Sequence, residues 1–290
     1  MSDFRFFLYL SQKLKRVMKK KIFFILQSSS FLWFACESNN ENVTTEEEVV
    51  EEVEMATEEE SMSYLLPSPL QIAEIFKNSG LTYIGDLTNS TELAASYNTK
   101  YSQKLNFGVY SADMAYCIIN NQTQPAINYL STLRELSEKM WMTDVFNTMG
   151  LSKRLENNVG EQDSLTTIMA DLQIRLDNYL DENGMGYTGP VIFAGAWIET
   201  MYLGAKVNQA NSNEKLIYRL TEQSVVLENL IKVLEQINED NDFDDLIADL
   251  KVINENFDVL EKNEEAKLGD EQVEKLSMQI IDLRNKIIKN

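Results

Sequence analysis

The chain has 290 residues, 44% of them apolar, with a formal net charge of −20, no histidine and two cysteines. That apolar content is enough for a folded core, whereas the lack of histidine removes His-based triads, most zinc sites and the usual general base near neutral pH. The negative charge repels nucleic acid, so no nucleic-acid partner is expected. One cysteine, Cys117, follows Cys36; its apolar neighbours mark it as a packed core thiol.

Residues 1–35 read as a leader and are set aside from the fold. Lys19, Lys20 and Lys21 precede two apolar stretches, Ile22 to Leu26 and Phe31 to Phe34, and Ala35 stands before Cys36. A positive start, a short apolar run and a small residue at the cut are the parts of a secretory signal. Met18 is the better start, since residues 1–17 fit no part of it. The apolar part is shorter than the roughly 20 residues a membrane span needs, and Gln27 to Ser30 interrupts it. The segment from Met18 to Cys36 resembles a bacterial lipobox. That resemblance implies cleavage before Cys36 and acyl chains, palmitate among them, on its mature N-terminus; an uncleaved anchor is the alternative. Membrane attachment is then expected through lipid on Cys36. The expected location is the cell envelope, as an outer-membrane lipoprotein facing the periplasm or the cell surface. The leader holds seven basic residues and one acid, a net +6, so residues 36–290 carry −26.

Residues 36–64 are expected to form a disordered tether. Positions 37–63 hold eleven glutamates and no lysine or arginine, a composition that cannot bury enough apolar surface to offset ordering entropy.

From residue 65 the pattern is helical, and the spacing predicts an all-α fold, an antiparallel bundle of about eight or nine helices. Ser68-Pro69 is an N-cap with a first-turn proline, and Asn78-Ser79-Gly80 closes that helix. Further helices are expected over Thr91 to Ile119, Thr123 to Met140, Thr143 or Asp144 to Asn157, Asp163 to Glu182, and Gly189-Pro190 to Gln209. Their short turns favour antiparallel neighbours. The division is drawn as a helical domain, 65–210, with a C-terminal antiparallel bundle, 211–290, packed on it.

That C-terminal part has the clearest periodicity. Leu216, Leu220, Gln223, Leu227, Leu230, Leu234 and Ile237 alternate steps of four and three; Phe243 to Leu260 and Val273 to Ile287 repeat the pattern. Such a seam either closes inside a bundle or stays open to a partner helix, which makes the C-terminal helices a possible protein-binding surface.

Two helices carry acids among apolar and small residues. Asn106, Tyr110 and Asp113 share one helix face, as do Glu199 and Tyr202 on another. Gly195, Ala196, Gly204 and Ala205 would admit a close neighbour, because a helical glycine costs about 1 kcal/mol relative to alanine unless close packing returns it. Asn106, Tyr110, Asp113, Glu199 and Tyr202 are therefore the candidate ligand pocket, for a small molecule or cation. If both acids point inward, tyrosine hydroxyls, Asn106 or a cation could partner them; the competing reading is a pair of buried carboxyls capped by tyrosine hydroxyls, or two acids simply facing solvent. No catalytic residue, metal site or cofactor is expected.

The segments NFGVYSADMAYCIINNQTQPAINYLSTLRELSEKM (Asn106 to Met140) and GPVIFAGAWIETMYLGAKV (Gly189 to Val207), together with the lipobox, resemble an all-helical bacterial envelope lipoprotein family without an assigned activity. The resemblance covers roughly residues 67–210 and implies a helical fold and an envelope location, with no catalytic residues to carry over. The expected role is non-enzymatic, by protein interaction; ligand binding near Asp113 and Glu199 is the alternative.

Overall fold

The computed structural model of the chain describes residues 66–147, 162–263 and 267–289. The leader, Cys36 and the acidic tether lie outside the described residues, as does the stretch from 148 to 157 expected to continue a helix. Among the described residues every regular element is helical. In chain order they are α1 (Pro69–Asn78), a 3-10 turn (Thr91–Ser96), α2 (Lys100–Ile119), α3 (Thr123–Lys139), α4 (Asp144–Asn147), α5 (Gln162–Glu182), α6 (Thr188–Ala210), α7 (Glu214–Ile237), α8 (Asp244–Asn254), a 3-10 turn (Glu255–Phe257), α9 (Asp258–Asn263) and α10 (Asp270–Lys289). None of these helices is long and apolar enough to cross a membrane.

Caps set the boundaries. At α1 the Ser68 hydroxyl accepts from the Gln71 N–H at 3.3 Å, and the Gln71 side chain accepts from the Ser68 N–H at 2.8 Å, a reciprocal capping box behind Pro69. The helix expected over Thr91 to Ile119 is two pieces. Ser90 caps the 3-10 turn, Thr99 caps α2 by accepting from the Ser102 N–H at 3.0 Å, and the Gln103 side chain donates to the Tyr97 carbonyl between them at 3.1 Å. Serine and threonine side chains compete here with the backbone for its own hydrogen bonds and break the run.

The centre of the fold is the pair α2 and α6. Residues Ser102 to Ile119 of α2 are all buried, as are most of α6 from Val191 to Asn208, so neither helix has a polar outer face. They approach at Gly108 and Gly195. A β-carbon on Gly108 would collide with the Ile192 carbonyl, and one on Gly195 with the Leu105 carbonyl. Gly204 serves a different purpose from the close helix approach read in the sequence: its missing β-carbon leaves room for the Phe76 ring and Leu220.

The remaining helices wrap this pair. α1, α3 and α10 lie against α2, and α7 and α10 against α6. One apolar core runs from Leu70 to Ile287. The α7 seam faces inward: Leu216, Leu220, Gln223, Leu227, Leu230 and Leu234 are buried, and Ile237 is half-buried. Val273, Leu276, Ile280, Leu283 and Ile287 of α10 are buried too.

Gly195→Ala tests the close approach. Alanine improves helix propensity by up to about 1 kcal/mol, but its methyl would push on backbone that cannot rotate away. The expected outcome in urea unfolding is a net loss of about 2 kcal/mol, with Gly186→Ala, whose β-carbon meets nothing within 4 Å, close to wild type.

Candidate functional site

The two acids picked from the sequence do come together. Asp113 projects from the middle of α2 and Glu199 from the middle of α6; both are 0% exposed, and the two carboxyls are near enough to shift each other's proton affinity. The third member of the cluster is Arg284 of α10. Its Nε donates to Glu199 Oε2 at 2.9 Å and its terminal nitrogen to Oε1 at 3.1 Å. This is the two-pronged pairing that guanidinium geometry favours. The guanidinium also lies 4.4 Å from the Tyr202 ring centroid, close enough for a cation–π contact.

One cation faces two buried carboxyls, and that fixes the protonation. Burial pushes Asp113 well above the ordinary carboxylate range, and the charge of Glu199 adds to it. Burial also raises Glu199, opposed by Arg284. Burial alone would lower Arg284, but the Glu199 carboxylate outweighs it and holds the guanidinium charged. The consistent state is Arg284 positive, Glu199 negative and Asp113 protonated, so the cluster carries no net charge. Asp113 Oδ1 has no donor facing it. A proton there makes it the donor to Glu199, while Oδ2 accepts from the Asn89 N–H at 3.0 Å.

The other predicted pocket residues are brought near but do separate work. Asn106, fully buried, donates through Nδ2 to the Ser102 carbonyl at 2.9 Å and to the Ile287 carbonyl at 3.2 Å. Tyr97 donates to the Ile288 carbonyl at 3.2 Å. The last turn of a helix leaves carbonyls without intrahelical partners, and these two side chains fill that need for α10. Tyr110 donates to the Ser90 carbonyl at 2.7 Å, and Tyr129 to the Asn89 carbonyl at 2.9 Å. Tyr116 donates to the Thr82 carbonyl at 2.8 Å and accepts from the Ile84 N–H at 2.7 Å. These hydroxyls and Asp113 pin the irregular stretch between α1 and α2 onto the helices, where its backbone polar groups would otherwise be stranded. Burial raises all three tyrosines, Tyr116 to about 12. Cys117, in the same layer, is likewise pushed up to about 12, by burial and by Asp113.

Reading the sequence missed Arg284, Tyr97, Asn89 and Tyr129. A signal for Arg284 was present: it lies one turn after Ile280 and one turn before Ile287, on the face of the α10 seam. Among the described residues no three Cys, Asp or Glu side chains converge in a way that could hold a metal. No protein-family model, curated protein or solved structure matches the chain.

Two substitutions test the charge assignment. Asp113 has a native affinity for protons raised above its unfolded value near 3.9. Its contribution is fully present below that value and is lost as pH rises through the native one. Asparagine copies the protonated carboxyl without titrating, so Asp113→Asn should match wild type in acid and exceed it increasingly above about pH 4. Urea titrations from acid to neutral pH read this; a constant difference across the range sinks the assignment. Glu199→Gln strands a buried cation and should cost about 3–5 kcal/mol. The double variant Glu199→Gln, Arg284→Met should recover part of that loss in the same assay.

Proposed function

We propose that the chain is a membrane-anchored bacterial lipoprotein whose helical domain is non-enzymatic and acts by protein interaction in the cell envelope. One observation carries the non-enzymatic part: Asp113 and Glu199, the acids best placed for chemistry, are fully buried, Glu199 paired with Arg284 of the same chain and Asp113 kept in its protonated form by burial. A substrate would meet neither. The alternative, a pocket for a small molecule or cation at Asn106, Tyr110, Asp113, Glu199 and Tyr202, is disfavoured on the same ground. Arg284 already supplies the cation, and Asn106 and Tyr110 already spend their donors on backbone carbonyls.

The anchor part rests on Lys19 to Lys21, the apolar run and Ala35-Cys36, and on the resemblance to helical envelope lipoproteins. The glutamate-rich stretch after Cys36 supports a spacer between membrane and domain. A protein partner of the C-terminal helices would meet their outward residues, because the α7 seam is turned inward. Val225, Val252 and Met278 are exposed there.

Metabolic labelling with a clickable fatty acid, comparing wild type with Cys36→Ala, tests the anchor. Label and membrane pelleting in the wild type, both lost in the variant, are the expected outcome. Absence of label from both chains overturns the lipoprotein reading.

A further inference from the structure

Of the three helices that meet at the buried cluster, α10 is the one with an open side. α2 is buried from Ser102 to Ile119 and α6 over most of its length, and their backbones approach closely at Gly108 and Gly195. Neither can move without parting the middle of the core. α10 is amphipathic instead. Leu276, Ile280, Leu283 and Ile287 face inward, while Lys275, Met278 and Asp282 are exposed. It lies over α6 and α2, so it can lift from them while they stay packed on each other.

α10 also carries the positive charge of the cluster. With α10 seated, two fully buried carboxyls share one guanidinium. A net negative charge shut away from water costs more than keeping a proton, so one carboxyl stays protonated. With α10 lifted, water enters from the side that Arg284 occupied and both carboxyls can ionise. The titratable groups that face Asp113 are Arg284 of α10, Glu199 and Tyr202 of α6, Tyr129 of α3, and Tyr110, Tyr116 and Cys117 of α2. Burial raises the phenols and the thiol, Arg284 stays charged, and Glu199 is held ionised by it. Asp113 is therefore the group whose proton depends on where α10 lies.

We propose that α10 is a proton-linked latch, which seats on α2 and α6 with the uptake of one proton by the Asp113–Glu199 pair and lifts more readily as pH rises. Single elements of a folded domain open on their own, at a lower cost than unfolding the whole. Seated, Asp113 keeps its proton to a pH above its free value; lifted, it gives the proton up near 3.9. The seated form is therefore fully favoured below about pH 4. Above that, its ratio to the lifted form falls by up to about tenfold per pH unit, levelling off once pH passes the seated value. The proton is thus tied to one movable helix. The latch does not rest on a lipid at Cys36.

Hydrogen–deuterium exchange of the full chain tests the latch, read by mass spectrometry and corrected for the intrinsic pH dependence of exchange. Peptides over Leu276 to Leu283 report α10, and peptides over Phe107 to Cys117 report α2. The expected result is lower protection in α10 than in α2, with α10 protection falling roughly tenfold or more between pH 5 and 7. In Asp113→Asn, whose amide has no proton to lose, α10 protection should change by less than about twofold over the same range. Asp249→Asn removes the exposed pair with Lys286 and should keep the wild-type slope. Flat protection in the wild type, the same slope in Asp113→Asn, or a slope abolished by Asp249→Asn overturns the proposal. So does equal protection of α10 and α2 at every pH, which would mean that the proton leaves only when the whole fold opens.

Discussion

The fold depends on a charge balance at its centre. Three helices from distant parts of the chain meet where Arg284, Glu199 and Asp113 are buried together. Taking an ion pair out of water is expensive, and attraction repays it only when geometry is good and the leftover polar atoms are satisfied. Here the guanidinium takes both oxygens of Glu199, and the second carboxyl enters as a neutral donor. A second negative charge would have no partner, so the proton on Asp113 is as much a part of the packing as any methyl group. This makes the cluster a specifier of arrangement. Only one register of α10 against α6 brings Arg284 to Glu199 and, one turn further on, the Ile287 carbonyl to Asn106.

Around that centre the polar groups of α2 and α3 act as tethers for irregular backbone. The stretch between α1 and α2 has little regular structure, and where it turns in against the helices, at Leu81, Asn89, Ala94 and Tyr97, its N–H and carbonyl groups need partners. Tyr110, Tyr116 and Tyr129 provide hydroxyls, and Asp113 provides an acceptor. Tyrosine suits this position because its ring fills the core while its tip reaches a carbonyl. The concentration of polar residues that suggests a ligand pocket in the sequence is, in the structure, the means of holding a loop in place.

Much of this was legible in the sequence. The Ser68-Pro69 start, the Asn183-Gly184 stop and the three C-terminal seams appear as read, because caps and apolar spacing are local signals. That Asp113 and Glu199 sit among small residues was legible as well, but whether they converge was not, since spacing within each helix says nothing of the distance between two helices. Arg284 was passed over although its spacing put it on the face of the α10 seam, because an arginine there reads as a solvated flank and nothing local names its distant partner. The break at Tyr97 was hidden because Thr91 to Ser96 has helical propensity. Only the competition of Ser90, Thr99 and Ser102 for backbone groups ends the run. In the sequence Trp141 is simply the residue after a helix; its left-handed backbone is set by the cap geometry, which residue type alone does not announce.

The order in which the chain is made gives the central cluster a timetable. Arg284 lies 85 residues beyond Glu199, and Asp113 comes earlier still. At ordinary synthesis rates roughly 4–17 s separate Glu199 from its cation, and about twice that separates Asp113 from it. In that interval α2 and α6 cannot close without burying an acid that has no counterion, so water must stay between them or both acids must hold protons. Either way the central pair reaches its final charge state only when α10 arrives. Contacts of such sequence separation also slow folding.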